Sequence, residues 1–380
     1  MKDVDLGRAL RDVELPRPHR ERALAVVRTA FAERERVSWP RRHVRSLALA
    51  VAAATVAAAI VAATLSSPGR AVIDNLRKAI GVEHAQPALF SLPSSGRLLV
   101  TATSGSWIVA QDGSNRHLGA YRDASWSPFG RFVVGARSNE LAALEPTGRV
   151  RWTLARAGVR FPRWAGTPAD TRIAYFARDG LHVVAGDGTG DHLVSAAAVP
   201  LAPPAWRQLA SGAQALAFVG LRGRVTVVDP DAGGIEYELP PLVAPRALAW
   251  SPSGTLAVAS RNGVDVYAGR RRIAHRHLTG VSAVAFAPDG RAVAVLHGNE
   301  VLLYGPRLRA PRRLFAGSGR LAGLAWSPDG RWLLVGWPSA NQWLFVRTTG
   351  RHRLVAVSNV SEQFGSSAFP RVAGWCCSTS

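Results

Sequence analysis

The sequence predicts an all-β protein, a seven-bladed β-propeller, preceded by a short α-helical N-terminal region and one transmembrane helix. Three observations carry this. A frame of aromatic residue, Ser or Ala, Pro, a further residue and Gly recurs from residue 90 to the end of the chain. Two other series of turns fall between its copies and each counts seven. One run, Leu47 to Leu65, contains no charged residue, Pro or Gly. The boundaries that follow are a cytoplasmic helical tail (1–45), a transmembrane helix (46–65), a membrane-proximal stalk (66–85) and the propeller (86–380).

In the tail, Leu24, Val27 and Phe31 recur at helical spacing between Pro18 and Trp39-Pro40, and Leu6 and Leu10 suggest a shorter helix before Pro16. So short a segment cannot bury enough surface alone and needs a partner or the membrane surface. The next run, nineteen residues long, rises about 28 Å as a helix, close to the hydrocarbon thickness. Arg28, Arg34, Arg36, Arg41, Arg42 and Arg45 precede it, whereas Arg70, Arg77 and Lys78 follow it. Positive flanks resist translocation, so the N-terminus is expected in the cytoplasm and the body outside it. A cleaved export signal is the alternative, because Arg41-Arg42-His43-Val44-Arg45 is a loose twin-arginine pattern with small residues at Ala57 and Ala59 beyond it. A buried core helix is another. Ser67-Pro68-Gly69 then breaks the helix.

The repeat is clearest at Trp326-Ser327-Pro328-Asp329-Gly330-Arg331 and recurs from Phe286, Trp250 and Trp126, with degenerate copies at Phe90, Trp164 and Trp206. Consecutive anchors lie 36, 38, 42, 44, 36 and 40 residues apart, the length of a four-stranded blade. The frame has a physical reason. An apolar strand ends on an aromatic anchor, Pro begins the turn, Asp bonds nearby backbone and Gly accepts the positive φ that reverses the chain. A hairpin series follows at Ser104-Gly105, Ser138-Asn139, Asp179-Gly180, Arg222-Gly223, Asn262-Gly263, Gly298-Asn299 and Ser339-Ala340-Asn341. A third runs through Asp112-Gly113, Thr147-Gly148, Asp187-Gly188, Ala232-Gly233, Gly269-Arg270, Gly305-Pro306 and Thr349-Gly350. An eighth anchor, Trp375, is expected to close the ring by joining the first blade.

The Trp-Ser-Pro-Asp-Gly-Arg frame resembles TolB-like propeller repeats, relatives in shape of WD repeats, although no Trp-Asp dipeptide is present. The resemblance spans residues 86 to 380 and implies extracytoplasmic binding surfaces without shared catalytic residues. The layout of the front half is similar to single-span bacterial regulators of the anti-sigma type, although residues 1–45 contain no Cys for the zinc signature many of them carry.

The formal charge of +21 would suit a polyanion, but 45 of the 47 basic residues are Arg, and the excess is spread along the chain without a nucleic-acid-binding motif. Nucleic acid is not the expected partner. There is no G-x-S-x-G, G-x-x-x-x-G-K, H-E-x-x-H or paired C-x-x-C, so neither a catalytic residue nor a cofactor is assigned. Asp187 and Asp191 have calcium-loop spacing but lack further acidic ligands, and His275 and His277 share a strand face without a third ligand, so no metal is expected. Cys376 and Cys377 are adjacent. A bond between them would be strained, which leaves reduced thiols or a disulfide to a partner chain.

The candidate binding surface is a set of arginines at equivalent places in the last three blades: Arg270, Arg271, Arg272 and Arg276, then Arg307, Arg309, Arg312 and Arg313, then Arg347, Arg351 and Arg353. On an outer rim these would hold an envelope protein, an anionic polymer or a lipid headgroup, or would simply protect sheet edges. The functional expectation is a membrane-anchored extracytoplasmic scaffold or sensor. The alternative is an anti-sigma-like regulator whose Leu24, Val27 and Phe31 dock a cytoplasmic transcription factor. A third reading is an exported propeller hydrolase with a site that no local motif reveals.

Overall fold

The computed structural model describes residues 82–86, 91–167, 169–208, 214–231 and 234–377. The helical tail, the apolar run 47–65 and Phe90 lie outside them, as does the Ala232-Gly233 turn. Among the described residues no helix is long and apolar enough to cross a membrane.

Seven sheets, each built on four antiparallel strands, form the seven blades of a propeller. Blades 2 to 7 are each continuous in sequence, at 123–155, 160–195, 205–238, 247–277, 281–316 and 322–358. Blade 1 takes Arg97–Ala102, Gly105–Val109 and Asn115–Gly119 from the start of the ring and its innermost strand, Arg371–Cys376, from the end. Trp375 therefore closes the ring as expected, and the inner-strand anchors run from Trp126 round to Trp375. This closure completes blade 1 with a strand from the far end of the chain and packs it between the inner strands of blades 7 and 2.

Burial follows strand position. In blade 5 the second strand, Thr255–Ser260, is buried along nearly its whole length, whereas the outermost, Arg271–His277, is mostly exposed. The middle strands touch neighbouring blades on both faces, which is why Val293–His297 and Trp332–Trp337 read as continuous apolar runs.

The repeat residues act locally as their chemistry requires. In blade 7 the Ser327 hydroxyl accepts from Trp332 N at 2.9 Å, Asp329 accepts from Arg331 N at 3.0 Å, and Gly330 turns the chain at φ 67°. Blade 2 repeats the serine bond, with Ser127 Oγ accepting from Phe132 N at 3.0 Å, and blade 6 repeats the aspartate bond, Asp289 with Arg291 N at 2.9 Å. The anchors also tie blade to blade. Trp206, Trp250 and Trp326 donate their indole N–H to Arg163 O (2.8 Å), Ala205 O (3.0 Å) and Ala285 O (3.3 Å). Each acceptor immediately precedes the anchor of the blade before. Trp126 and Trp164 break the rule, since their buried indole nitrogens find no acceptor.

Two features depart from the sequence reading. Val82–Gln86, whose first four residues fall in the expected stalk, pairs in parallel with Leu354–Ser358, so blade 7 has five strands and its fourth is not an edge. Cys376 and Cys377 are disulfide-bonded to each other, with Cα atoms 3.7 Å apart, and not open to a partner chain. Cys377 takes a left-handed φ of 52°, bending the chain back as the last inner strand ends.

Candidate functional site

The arginines lie on or just before the fourth strands of blades 5 and 6, which are outermost, while those of blade 7 precede a fourth strand that Val82–Gln86 covers, and half of the set has internal work. Arg276 reaches the next blade, donating to Leu308 O at 3.4 Å with its guanidinium over the Tyr304 ring. Arg312 donates to Thr348 O of blade 7. Arg272 pairs with buried Asp265 at 3.4 Å, and Arg313 with Glu300 at 3.3 Å. Arg270, Arg271, Arg309 and Arg351 are exposed without an ion pair among the described residues, while Arg353 does have a partner. The rim is thus partly a set of ties between blades.

The chemistry-bearing clusters are likewise satisfied internally. Where the inner strands of blades 1, 2 and 3 begin, Asp123 meets Arg371 at 3.1 Å and Arg163 at 3.8 Å, and accepts from Phe161 N at 3.0 Å. Burial pushes the Arg163 guanidinium below its ordinary pKa and Arg371 adds to this, with Asp123 opposing. In blade 3, Asp191 accepts from Arg156 Nε at 2.8 Å and from the Tyr175 hydroxyl at 2.6 Å. Burial first, and that bond second, raise the Tyr175 pKa strongly. Asp187, the other half of the suspected calcium loop, bonds Thr189 instead, so the two carboxylates face different partners. His275 donates from Nδ1 to Asp265 Oδ1 at 2.9 Å, and His277 is exposed. Among the described residues no three metal-ligating side chains converge.

An unassigned surface lies on the face opposite the Ser-Pro turns. There the connections into blades 4 and 5 (196–204 and 239–246) are long, against 120–122 and 278–280 elsewhere. They carry Pro200, Pro203, Pro204, Pro240, Pro241 and Pro245, which fix φ and lower the entropy cost of holding a shape. Between them projects the blade 4 hairpin turn, Leu221–Gly223. The result is exposed apolar surface: Leu201 and Val243, 55% and 50% exposed, line a hollow of about 350 Å3 together with Arg222, and Leu221, 64% exposed, is the neighbour of Arg222 in the hairpin turn. Gly223 is required here: its φ is 74°, and a Cβ would come within 2.2 Å of Leu242 O. Arg222, held at φ 59°, lies at the hollow, and Arg246 and Arg261 are exposed on the flanking segments. None of the three makes an ion pair among the described residues.

Sequence reasoning passed over this patch, although a signal existed. The two longest anchor spacings, 42 and 44, are those that contain the proline-rich connections.

No family model matches the chain, and no curated protein matches it. Among solved structures it is similar to the C-terminal WD40 domain of Sif2, at 14% identity and a TM-score of 0.53, over 72% of this chain and 85% of that one. A chain of the mitotic checkpoint complex gives 16% and 0.53, over 72% and 91%. A chain of Kuenenia stuttgartiensis hydrazine synthase gives 18% and 0.47, over 60% and 76%. At such identities the likeness is one of fold: the chain is a seven-bladed β-propeller with WD40 structural neighbours.

Proposed function

We propose that the propeller is a protein-binding scaffold, carried outside the cytoplasm on the single span 47–65, and that its binding surface is the proline-rich patch of blade 4. The observation that carries this is exposed Leu201 and Val243 on proline-stiffened connections, with exposed Leu221 on the hairpin turn between them and Arg222, Arg246 and Arg261 alongside. Apolar side chains fixed in solvent gain free energy when covered, and preorganised loops keep the ordering cost of binding low. Unpaired cations beside them select an acidic neighbour. The expected partner is therefore a protein segment combining apolar and acidic residues. The free rim arginines, Arg270, Arg271, Arg309 and Arg351, would add long-range attraction to an anionic envelope surface. The TolB-like character of the repeats and the arginine excess before residue 47 support the extracytoplasmic placement.

Two measurements on the full-length chain test this reading. Protease added outside intact cells should remove the propeller and leave a membrane-embedded N-terminal fragment. Proteins recovered with the chain from gently solubilised membranes should be lost on Leu221→Asp with Val243→Asp and kept on Arg271→Ala. Recovery that tracks Arg271 and ignores the patch would overturn the surface assignment, and a protected propeller would overturn the placement.

A further inference from the structure

Blades 2 and 3 part on the face that carries the Ser-Pro turns, the opposite end of the blades from the proline-rich patch. The parting leaves a cavity of about 890 Å3, within the span of about 300–1,000 Å3 usual for small-molecule sites. It occurs at a junction where the anchor tie is missing. Trp164 makes no indole bond to blade 2, whereas Trp206, Trp250 and Trp326 each bond the blade before.

Four aromatic side chains wall the cavity: Phe129, Phe132, Trp152 and Trp164. They are held in place. The Trp152 indole donates to Gly186 O at 3.0 Å, and its ring packs against Gly188, where a Cβ would lie only 2.9 Å from it. Phe132 and Trp164 stack, with planes 15° apart and centroids 6.1 Å apart. Phe129 is 47% exposed. Two cations, Arg131 and Arg151, complete the lining. Arg131 is exposed and has no ion pair among the described residues. Arg151 shares Glu145, at 3.3 Å, with Arg149, which sits closer at 2.5 Å, so its charge is only partly answered. The lining carboxylate, Asp187, is occupied by Thr189 N and Oγ1 at 3.0 and 2.7 Å. The disulfide forms one further edge through Cys377, whose sulfur would lie 3.0 Å from a Cβ placed on Gly130.

Flat apolar walls with two cations in the lining suit a particular chemistry. Ring systems pack on aromatic faces, and a carboxylate or sulfonate forms charge-assisted hydrogen bonds with guanidinium. We propose that this cavity binds a planar aromatic anion, its ring system against Trp152, Trp164 and Phe132 and its acid group on Arg131 and Arg151. The site is distinct from the protein-binding patch and does not depend on it.

Calorimetric titration of the full-length chain with 2-naphthoate, and with the uncharged 2-naphthamide of the same ring, tests the proposal. The naphthoate should bind saturably at one site and the naphthamide about tenfold more weakly, the difference expected of one charge-assisted contact. Arg131→Ala should weaken naphthoate by about tenfold and leave naphthamide unchanged. Phe129→Ala, at an exposed position that does not threaten the fold, should weaken both. Arg271→Ala, on the rim, should change neither. The proposal fails if naphthoate does not saturate, if the two ligands bind equally, or if Arg131→Ala has no more effect than Arg271→Ala.

Discussion

Blades 5 to 7 and blades 2 to 4 are built on one plan and put it to different use. Blades 5 and 7 carry close copies of the Trp-Ser-Pro-x-Gly frame, blade 6 keeps it with Phe and Ala, and rim arginines there reach across to the next blade. Blades 3 and 4 have degenerate copies. Among the described residues the large apolar side chains found exposed, Phe129, Val150, Leu193, Leu201, Leu221, Ile235 and Val243, all belong to blades 2 to 4 and the connections beside them. The aromatic cavity and the proline-rich patch lie in the same half. Agreement with the frame does not by itself decide the use: Trp126, in a close copy, has no indole tie and its turn lines the cavity, whereas Trp206, in a degenerate copy, bonds the blade before.

The largest effect that would test this contrast is on stability. Trp343→Ala, at a fully buried site in blade 7, should cost about 3–5 kcal/mol in urea unfolding, whereas Leu221→Asp in the irregular half should stay within about 0.5 kcal/mol. Equal costs would erase the distinction. Gly223→Ala comes next. It forces a Cβ toward Leu242 O from a left-handed backbone, so it should cost about 1–3 kcal/mol and disturb the patch that Leu221→Asp merely recolours.

Smaller again is the rim. Arg312→Ala loses its bond to Thr348 O and should cost about 1 kcal/mol, while Arg270→Ala should be neutral. A smaller effect still is pH-dependent. Burial raises the Asp329 carboxyl, but bonds from Ser327 and Arg331 N outweigh it and leave the pKa below its ordinary value. A depressed folded pKa stabilises above the unfolded value near about 3.9 and is lost as pH falls through the lower folded one. Asp329→Asn should therefore differ from wild type at neutral pH and converge with it at the acid end of that window. The smallest effect is expected from Cys376→Ser with Cys377→Ser, because a bridge between neighbours closes almost no chain and removes little entropy from the unfolded state.

Much of the ring was legible because its signals are local. Each of the seven hairpin positions read from the sequence joins the second and third strands of a blade, and Trp375 in its Ala-Gly-Trp context correctly marked the closing strand. What was not legible depends on residues far apart in the chain. Val82–Gln86 gives no sign that it will pair in parallel with Leu354–Ser358. The rim arginines look alike until Leu308 O and Thr348 O appear as acceptors. The cavity opens between blades 2 and 3 beside Trp164, whose indole N–H finds no acceptor, and no sequence period reports it. The vicinal bridge ran against the expectation from ordinary disulfide spacing, and a single left-handed residue, Cys377, accompanies it.

Protein binding is proposed to belong to blades 2 to 4 and the connections beside them. Site-specific photo-crosslinkers placed one at a time at Leu221 and at Arg271 of the full-length chain in living cells address it most directly. A discrete crosslinked partner is expected from Leu221, disappearing when Val243→Asp is added, and none from Arg271. A partner captured from Arg271 and not from Leu221 would contradict it.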